Sequence, residues 1–404
     1  MPSSSAQPLT SAAARTSLPK AGRIHIDRVR ASAAFDHKPL GELLEKTHPD
    51  YGSYVIASDA VGTDQRRKYD SPDYFYARST ELRGGRAYEI LFDCCPPKQL
   101  QGHNFFGHAD VADYIYTCLD LTARRYKQTV TAEQRTAWRG GQTKVHSLHL
   151  CGSFGCEEHL KLPIINAIDQ NNAGGKHRDW ETCLTLGFGM QGRSQYHTCT
   201  IYDKAMLLSI DWPERGTLRE AIMQLAKRSL RIEIKIYSQW LRTHGVDDNG
   251  RVWLQKTYKG PKPLKSLMYA MNWASVDIDA LYFTLLKSYN ITNAIQRQLT
   301  EDEQNGLSKG AKRAYLLWLA GHDLSQQFSR STVHKYAAEV WNNFAVDITA
   351  GRSPSRLPLV DVGELLVPAN LLAIPDWAYG TPRYWPPGTS IDQLGLGPDV
   401  TNAR

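Results

Sequence analysis

The segment from residue 229 to residue 238 reads SLRIEIKIYS and carries the clearest two-residue repeat in the chain. Leucine or isoleucine occupies every second position from Leu230 to Ile236, and Arg231, Glu233 and Lys235 stand between them. Successive side chains of a β-strand point to opposite faces of its sheet. The pattern therefore predicts a strand with one face packed in a core and the other face turned to water or to a working site.

Other segments extend this prediction to a domain. Three of them alternate in the same way, namely Ala87–Cys94, Val145–Cys151 and Thr198–Asp203. Apolar residues at helical spacing, from Leu218 to Leu225, predict a helix just before the Leu230 strand. Another helix is expected in EEHLKLPIINAIDQ, where Pro163 begins or interrupts it. Residues 24–245 are thus predicted to form an α+β domain around an antiparallel sheet.

Composition restricts the class of protein. The chain has 404 residues, enough for two or three domains at roughly 100–200 residues each. A formal net charge of +7 permits a polyanionic partner without requiring one. None of the seven cysteines forms a CxxC pair, which disfavours a zinc ribbon and favours a reducing cytosol. No uncharged run reaches the roughly 18 residues of a membrane helix, so a soluble protein is expected.

The ends of the chain differ from its middle. Residues 1–23 are rich in serine and alanine and predict a flexible tail, with a transit peptide as the weaker reading. Residues 246–350 are predicted to be helical. The stretch around Ala320 and Gly321 is typical of a helix-turn-helix unit that binds DNA, but equally of an ordinary helical hairpin. Residues 351–404 are rich in proline and are expected to form an extended wrap or to be partly disordered.

Three residues of different segments form a candidate metal site. In KVHSLHLCGSF, alternation puts His149 on the face opposite Leu148 and Leu150. A lone strand histidine is usually structural, but His103 follows the first predicted strand and Glu233 lies on the polar face of the last. Two imidazoles and one carboxylate would hold a divalent metal ion and leave coordination positions open for water or phosphate.

Tyr202 and Lys204 form a candidate reactive pair, since HTCTIYDKAML places the tyrosine near the end of a strand and the lysine two residues later. A phenol with a pKa near 10 is a poor nucleophile at neutral pH. It needs a nearby cation that favours phenolate, a role that Lys204 would fill. With twenty tyrosines in the chain, the pattern alone does not single out Tyr202.

Several segments resemble the sequence motifs of one known family, and they occur in the same order. KQLQGHNFFG, residues 98–107, is similar to a loop of the filamentous-phage gene II replication initiators and related phage or plasmid rolling-circle proteins. DWETCLTLGFG, TIYDK and LRIEIKI resemble later strands of that family, and LSKGAKRAYLLWLAGHDLSQQFSRSTVHKYAAEVW resembles its C-terminal region. The resemblance covers residues 85–350, and the histidine loop is its most specific part.

The resemblance implies a function. Tyr202 would nick one DNA strand at an origin, remain attached to the 5′ phosphate and leave a 3′ hydroxyl that primes rolling-circle synthesis. It implies a fold like that of the endonucleases whose paired histidines bind Mg²⁺ or Mn²⁺ on an antiparallel sheet. His103 would be a metal ligand or a phosphate contact, and Glu233 a third ligand or its support.

Two positions depart from the family pattern. Relatives usually have Arg-apolar-Asp where this chain has Ser147-Leu148-His149, so His149 stands in the place of an aspartate. The glutamate that follows the family's tyrosine is replaced by Leu207. These departures weaken the prediction of metal ligands more than that of Tyr202.

The resemblance also implies partners and a location. The expected partners are supercoiled and single-stranded origin DNA together with a host helicase and polymerase, in the cytoplasm of a bacterial host. The residues expected to contact DNA are Lys98, Asn104, Arg231, Lys235, Arg330 and Lys335. Two alternatives stay open, a non-cleaving regulator that binds the origin and a hydrolase that cleaves with water.

Overall fold

The structure is a computed structural model that describes residues 22–40, 43–48, 52–57, 75–170, 172, 175–189, 192–193, 196–211, 216–261, 264–289, 291, 299–344, 346–349 and 362–394. The tail predicted over residues 1–23 lies outside these ranges except for its last two residues. Residues 351–361 and 395–404 of the proline-rich stretch lie outside them as well.

Fifteen strands occur in the described ranges. They are β1 (His25–His37), β2 (Leu43–His48), β3 (Gly52–Ala57), β4 (Phe75–Arg83), β5 (Arg86–Cys94), β6 (Lys144–Gly155), β7 (Lys176–Trp180), β8 (Cys183–Leu186), β9 (Phe188–Gly189), β10 (Gly192–Arg193), β11 (His197–Tyr202), β12 (Ser229–Tyr237), β13 (His244–Val246), β14 (Val252–Leu254) and β15 (Lys265–Ser266).

Twelve α-helices accompany these strands in the same ranges. They are α1 (Pro96–Gln101), α2 (Val111–Arg125), α3 (Ala132–Arg139), α4 (Lys161–Gln170), α5 (Lys204–Asp211), α6 (Thr217–Lys227), α7 (Ser238–Thr243), α8 (Ile278–Lys287), α9 (Glu301–Asn305), α10 (Lys309–Leu319), α11 (Arg330–Phe344) and α12 (Val362–Leu365).

Eight strands form one sheet in the order β4-β5-β1-β6-β12-β11-β8-β7. Every pair of neighbours in it is antiparallel. This confirms the predicted α+β class with an antiparallel sheet, and the four predicted strands correspond to β5, β6, β11 and β12. The sequence pattern missed β1, which lies between β5 and β6 near the middle of the sheet.

One face of the sheet is apolar and supports the main core. On β12 the side chains of Leu230, Ile232, Ile234 and Ile236 are fully buried, as the two-residue repeat predicted. They pack in one cluster with residues of the helices, among them Tyr114 of α2, Ile164 of α4 and Tyr282 of α8. Burial of this apolar surface provides the main driving force for folding. The opposite, polar face of the sheet remains for other contacts.

A smaller apolar cluster lies over the polar face. It joins Phe105 and Phe106, which follow α1, to Leu208 of α5, Ile222 of α6 and Ala378. Ala378 belongs to the C-terminal segment, defined here as residues 362–394. The backbone N–H of Leu372 donates to the carbonyl of Ser153 on β6 at 2.8 Å, so this segment is attached directly to the sheet.

The helices α10 and α11 form a separate cluster, in which Tyr315 and Val340 are fully buried. Gly321 ends the first of these helices with a φ of 83°, a conformation that glycine adopts without a steric penalty. Within the described part of the chain, no helix has the length and apolar character needed to cross a membrane.

Candidate active site

The candidate catalytic and metal-binding residues of the strands lie together on the polar face of the sheet. They do so because directly opposite residues of neighbouring antiparallel strands have side chains on the same face. On β12, Glu233 lies opposite Thr200 of β11 and Cys151 of β6. Arg231 lies opposite Tyr202 of β11. The alternation read from the sequence therefore places Tyr202 and Glu233 on one face, on adjacent strands.

An irregularity in β1 adds a residue that the sequence pattern did not suggest. The register with β6 shifts between Ile26 and Arg28, so that Asp27 is an extra residue opposite β6. Such a bulge redirects a side chain out of the regular alternation. Asp27 is buried, and its carboxylate reaches the group formed by His149 and Glu233.

Asp27, His149 and Glu233 form a group that could hold a metal ion, since one possible ligand atom from each lies within 4.8 Å of the others. His149 Nδ1 donates to Glu233 Oε1 at 2.7 Å. Burial by itself would raise the pKa of Glu233, but Lys235, the hydrogen bond from His149 and Arg231 together lower that pKa well below its ordinary value. The carboxylate is thus held in the ionised form that a cation requires.

The donor set fits a hard divalent ion. It consists of two carboxylates and one imidazole, with no thiolate in the group. Oxygen ligands suit Mg²⁺ and Mn²⁺, and imidazole is compatible with the latter. Three protein ligands would leave coordination positions for other oxygen atoms. Of the predicted ligands His103, His149 and Glu233, the structure brings the last two together and places Asp27 beside them.

His103 lies nearby but outside that group. Its Nε2 contacts the carbonyl of Arg383 at 2.9 Å, and its Nδ1 accepts a hydrogen bond from the backbone of Phe105 at 3.3 Å. Burial lowers the pKa of His103 to about 4, so the ring is neutral at pH 7. Both ring nitrogens thus contact backbone groups. The predicted contact of His103 with a metal ion or a phosphate would require one of these two hydrogen bonds to break.

The loop that carries His103 is attached to the sheet through polar contacts. Its first part, PPKQLQ, is the short helix α1, which ends at Gly102 with a φ of 81°. Asn104 Nδ2 donates to Asp27 Oδ1 at 2.7 Å. Arg231 Nη1 donates to the carbonyl of Phe105 at 3.3 Å. The loop is therefore fixed over the group that could hold a metal ion, as a site built partly on a loop requires.

Tyr202 is 5% exposed, and its hydroxyl donates to Glu233 Oε2 at 3.4 Å. Burial raises the pKa of Tyr202 well above its ordinary 10, although Arg231 acts in the opposite direction. The phenol is therefore neutral at rest. Its oxygen nevertheless lies directly beside the group that could bind a metal ion.

Lys204 is the first residue of helix α5, and its side chain lies near the ring of Tyr202. Its Nζ lies 6.0 Å from the centroid of the Tyr202 ring. Burial, with smaller contributions from Arg231 and Lys98, lowers the pKa of Lys204 from 10.5 to about 8. A buried cation next to a phenol favours the phenolate form, because opposite charges stabilise each other in a site of low polarity.

The other predicted DNA contacts lie in different environments. Arg231 is fully buried, and its Nη2 pairs with Asp27 Oδ1 at 2.8 Å. Lys98 and Lys235 are half-buried near the site, and Lys235 Nζ lies 3.9 Å from Glu233 Oε1. Arg330 and Lys335 are exposed on α11, far along the chain in the helical cluster. Only the last two lie on an open surface.

A comparison with known protein families identifies the family to which this chain belongs. The family model described as "Replication-associated protein G2P N-terminal" matches residues 26–275, which include β1, the histidine loop, Tyr202 and Glu233. Neither a curated protein nor a solved structure matches the chain significantly. Since the matched region spans more than half of the chain, the protein belongs to the family of gene II-type replication-associated proteins.

Proposed function

We propose that the protein initiates rolling-circle replication by nicking one strand of a phage or plasmid origin, with Tyr202 as the nucleophile. The observation that carries the proposal is the 3.4 Å contact between the Tyr202 hydroxyl and Glu233 Oε2, within a group that could bind a metal ion. Membership of the family makes DNA at a replication origin the expected substrate.

The reaction is a transesterification. The Tyr202 oxygen forms a bond to the scissile phosphorus, and the bond from phosphorus to the 3′ oxygen breaks. The phenol gives up its proton and the departing 3′ oxygen takes one up, so that no net proton is released. The bond energy is kept in the 5′ phosphotyrosine link, which allows the same residue to rejoin the displaced strand after one round.

Neighbouring residues would prepare the phenol for attack. Glu233 accepts the hydrogen bond that orients the hydroxyl, while the positive charges of Lys204 and Arg231 favour the phenolate. Since burial keeps the resting phenol neutral, activation depends on these cations. Placing charged groups in a site that excludes water makes their effect larger than it would be in solution.

Asp27, His149 and Glu233 would hold the divalent ion, Mg²⁺ or Mn²⁺. When bound, such an ion polarises a phosphate oxygen and offsets its negative charge. His103 would act through the loop, by positioning Asn104 and Phe105 above the group or by contacting phosphate. The hydrogen bond from Asn104 to Asp27 supports this positioning role.

Contacts with the DNA backbone would come from two regions. Lys98 and Lys235 lie beside the site, and Arg330 and Lys335 lie on the exposed side of α11. Cations that contact phosphate provide affinity without reading the sequence. A host helicase and polymerase in the bacterial cytoplasm would then extend the 3′ end, as rolling-circle synthesis requires.

The alternative is a protein that binds the origin on the same fold without cutting it. The observation in its favour is the burial of Tyr202, whose ring must become accessible to a phosphate. Supercoiled DNA with the native origin, incubated with Mg²⁺ or Mn²⁺, separates the two functions. We expect wild-type protein to relax the plasmid and to remain attached to one 5′ end on a denaturing gel.

Tyr202→Phe should bind the origin but leave the plasmid supercoiled. Tyr269→Phe, which alters an exposed tyrosine, should nick like the wild type. Nicking by Tyr202→Phe would overturn the assignment of the nucleophile. Cleaved DNA with no attached protein would indicate hydrolysis by water, and binding without cleavage by the wild type would favour the regulator.

A further inference from the structure

A cavity of about 460 Å³ lies at the edge of the polar face, between the sheet, the histidine loop and the C-terminal segment. His25 and Ser153 form its wall on the sheet, and Phe106 lines it from the loop. Tyr379 and Tyr384 of the C-terminal segment close the other side. The volume lies within the usual range for a small-molecule site, and it is too small for duplex DNA.

The cavity adjoins the candidate active site along the sheet. Ser153 of β6 lies directly opposite Arg231 of β12, which in turn lies opposite Tyr202 of β11. With strands about 4.8 Å apart, the wall at Ser153 is roughly 10 Å from the backbone of Tyr202. His25 provides a second link, because its Nε2 lies 3.5 Å from Arg231 Nη2. A strand whose phosphate meets Tyr202 would therefore pass the mouth of this cavity.

The walls suit a flat ring with polar edges. Tyr384 lies 5.2 Å from Tyr379 and 6.4 Å from Phe106, measured between ring centroids. Aromatic side chains of this kind stack with nucleobases, since every base has a π-face. Arg23, exposed at the cavity, could meet a backbone phosphate. The combination of rings inside and a cation outside is typical of single-strand recognition.

One buried polar atom in the wall has no partner. Ser153 is 6% exposed, and its Oγ forms no hydrogen bond with any residue that the structure describes. Leaving a buried hydroxyl unsatisfied is unfavourable unless a ligand or water completes it. The edge of a base offers both donors and acceptors, so it could satisfy this hydroxyl whichever way the hydroxyl rotates.

We propose that this cavity takes up one unstacked base of the origin strand, a few nucleotides from the scissile phosphate. Tyr384 stacks on the base, and Ser153 contacts its edge and contributes to sequence preference. The inference rests on the proposed function for the identity of the ligand. It assigns a role in recognition to a segment that lies outside the family match over residues 26–275.

The test measures binding and needs no cleavage. In the Tyr202→Phe background, fluorescence anisotropy is recorded with a set of single strands from the native origin, each with one abasic site at a different position. We expect one position at which removal of the base weakens binding by about 5- to 150-fold, the equivalent of roughly 1–3 kcal/mol. Removal of bases elsewhere in the strand should have smaller effects.

Tyr384→Leu, added to the Tyr202→Phe background, should weaken binding of the intact strand by a similar factor. It should also abolish the loss of affinity caused by the abasic site, because the substitution and the abasic site remove the same contact. Tyr116→Leu, another partly buried tyrosine on α2, serves as the control and should preserve the penalty. Ser153→Ala removes only the hydroxyl. It should keep the fold, checked by thermal unfolding, while changing which base is preferred at that position.

Two results would overturn the inference. One is wild-type-like binding to every abasic strand, and the other is an abasic penalty that persists unchanged in both Tyr384→Leu and Ser153→Ala. Failure to nick supercoiled DNA would remove the proposed enzyme activity but not this base pocket, because anisotropy does not depend on cleavage.

Discussion

Asp27 Oδ1 lies 2.8 Å from Nη2 of Arg231, and the guanidinium of Arg231 is fully buried. The same carboxylate oxygen accepts a hydrogen bond from Asn104. One residue of a strand bulge therefore neutralises a buried cation, anchors the histidine loop and belongs to the group that could bind a metal ion. The Asp27 carboxylate therefore contributes both to the stability of the fold and to the candidate active site.

We expect Asp27→Ala to lower the free energy of unfolding by about 3–5 kcal/mol, because it leaves the buried charge of Arg231 uncompensated. Urea denaturation with a chelator present measures this effect in the absence of metal. Asp36→Ala is the matched control, since Asp36 forms an exposed pair with Arg86 and should leave the unfolding midpoint essentially unchanged. Equal effects of the two substitutions would argue against a structural role for the buried pair.

The ligand set can be tested by titration with Mn²⁺, followed by electron paramagnetic resonance. Glu233→Gln, His149→Ala and Asp27→Asn should each weaken binding by at least about 10-fold, as the loss of a ligand or its support does. His103→Ala should change the affinity much less, because both of its ring nitrogens are occupied by backbone groups. The opposite result, a large effect of His103→Ala and none of Asp27→Asn, would restore His103 as the third ligand.

Lys204→Met should abolish nicking and stabilise the fold at pH 7. Burial lowers the pKa of Lys204 to about 8, so folding at neutral pH keeps a charge in an unfavourable place. Between pH 8 and 10.5, Lys204 is protonated in the unfolded chain but largely deprotonated in the folded protein. The destabilisation of the wild type by this group therefore decreases as the pH rises across that window. The increase in the free energy of unfolding of Lys204→Met over the wild type, on the order of 3 kcal/mol, should have its full size below pH 8 and disappear towards pH 10.5.

Thermal unfolding of the two proteins across this pH range measures the gain. Lys256→Met removes the same charge from an exposed position and should follow the wild type at each pH. A Lys204 variant that unfolds below the wild-type temperature at pH 7 would contradict the predicted burial cost.

The basic side of α11 can be tested through salt dependence. Replacement of both Arg330 and Lys335 by alanine should weaken binding to duplex DNA and reduce the slope of log K against log salt by about one unit per side chain. The double change Lys256→Ala and Lys259→Ala alters net charge equally at other exposed positions and should leave the slope closer to that of the wild type. An unchanged slope in the α11 variant would exclude phosphate contacts by these two residues.

The sequence predicted the strands that carry Tyr202 and Glu233, but it gave no signal for the position of Asp27. Strand β12 was predicted correctly because one of its faces is apolar and the other polar, which produces a regular alternation. Tyr202 and Glu233 could then be placed on one face. Their actual contact depends on the pairing of β11 with β12, which periodicity alone does not reveal.

Strand β1 was missed for a physical reason. Residues on both of its faces are buried, and its register shifts at three places, between Ile26 and Arg28, between Arg30 and Ala31 and between Ala34 and His37. From Val29 to Phe35 the strand does alternate, but two of its four apolar positions are alanines, so the repeat is weak, and the bulge at Asp27 puts the residues before it out of phase. Asp27, the third residue of the group that could hold a metal ion, lies at the first of these irregularities, so the alternation rule gave no signal for it.

The attachment of the C-terminal segment to β6 has a consequence for protein synthesis. A ribosome translates all strands of the large sheet well before it reaches Leu372 and Tyr384. A nascent chain can therefore assemble its central β-structure while the side of the cavity formed by Tyr379 and Tyr384 is still missing. Any contact that depends on Tyr379 or Tyr384 therefore forms only after this segment has left the ribosome.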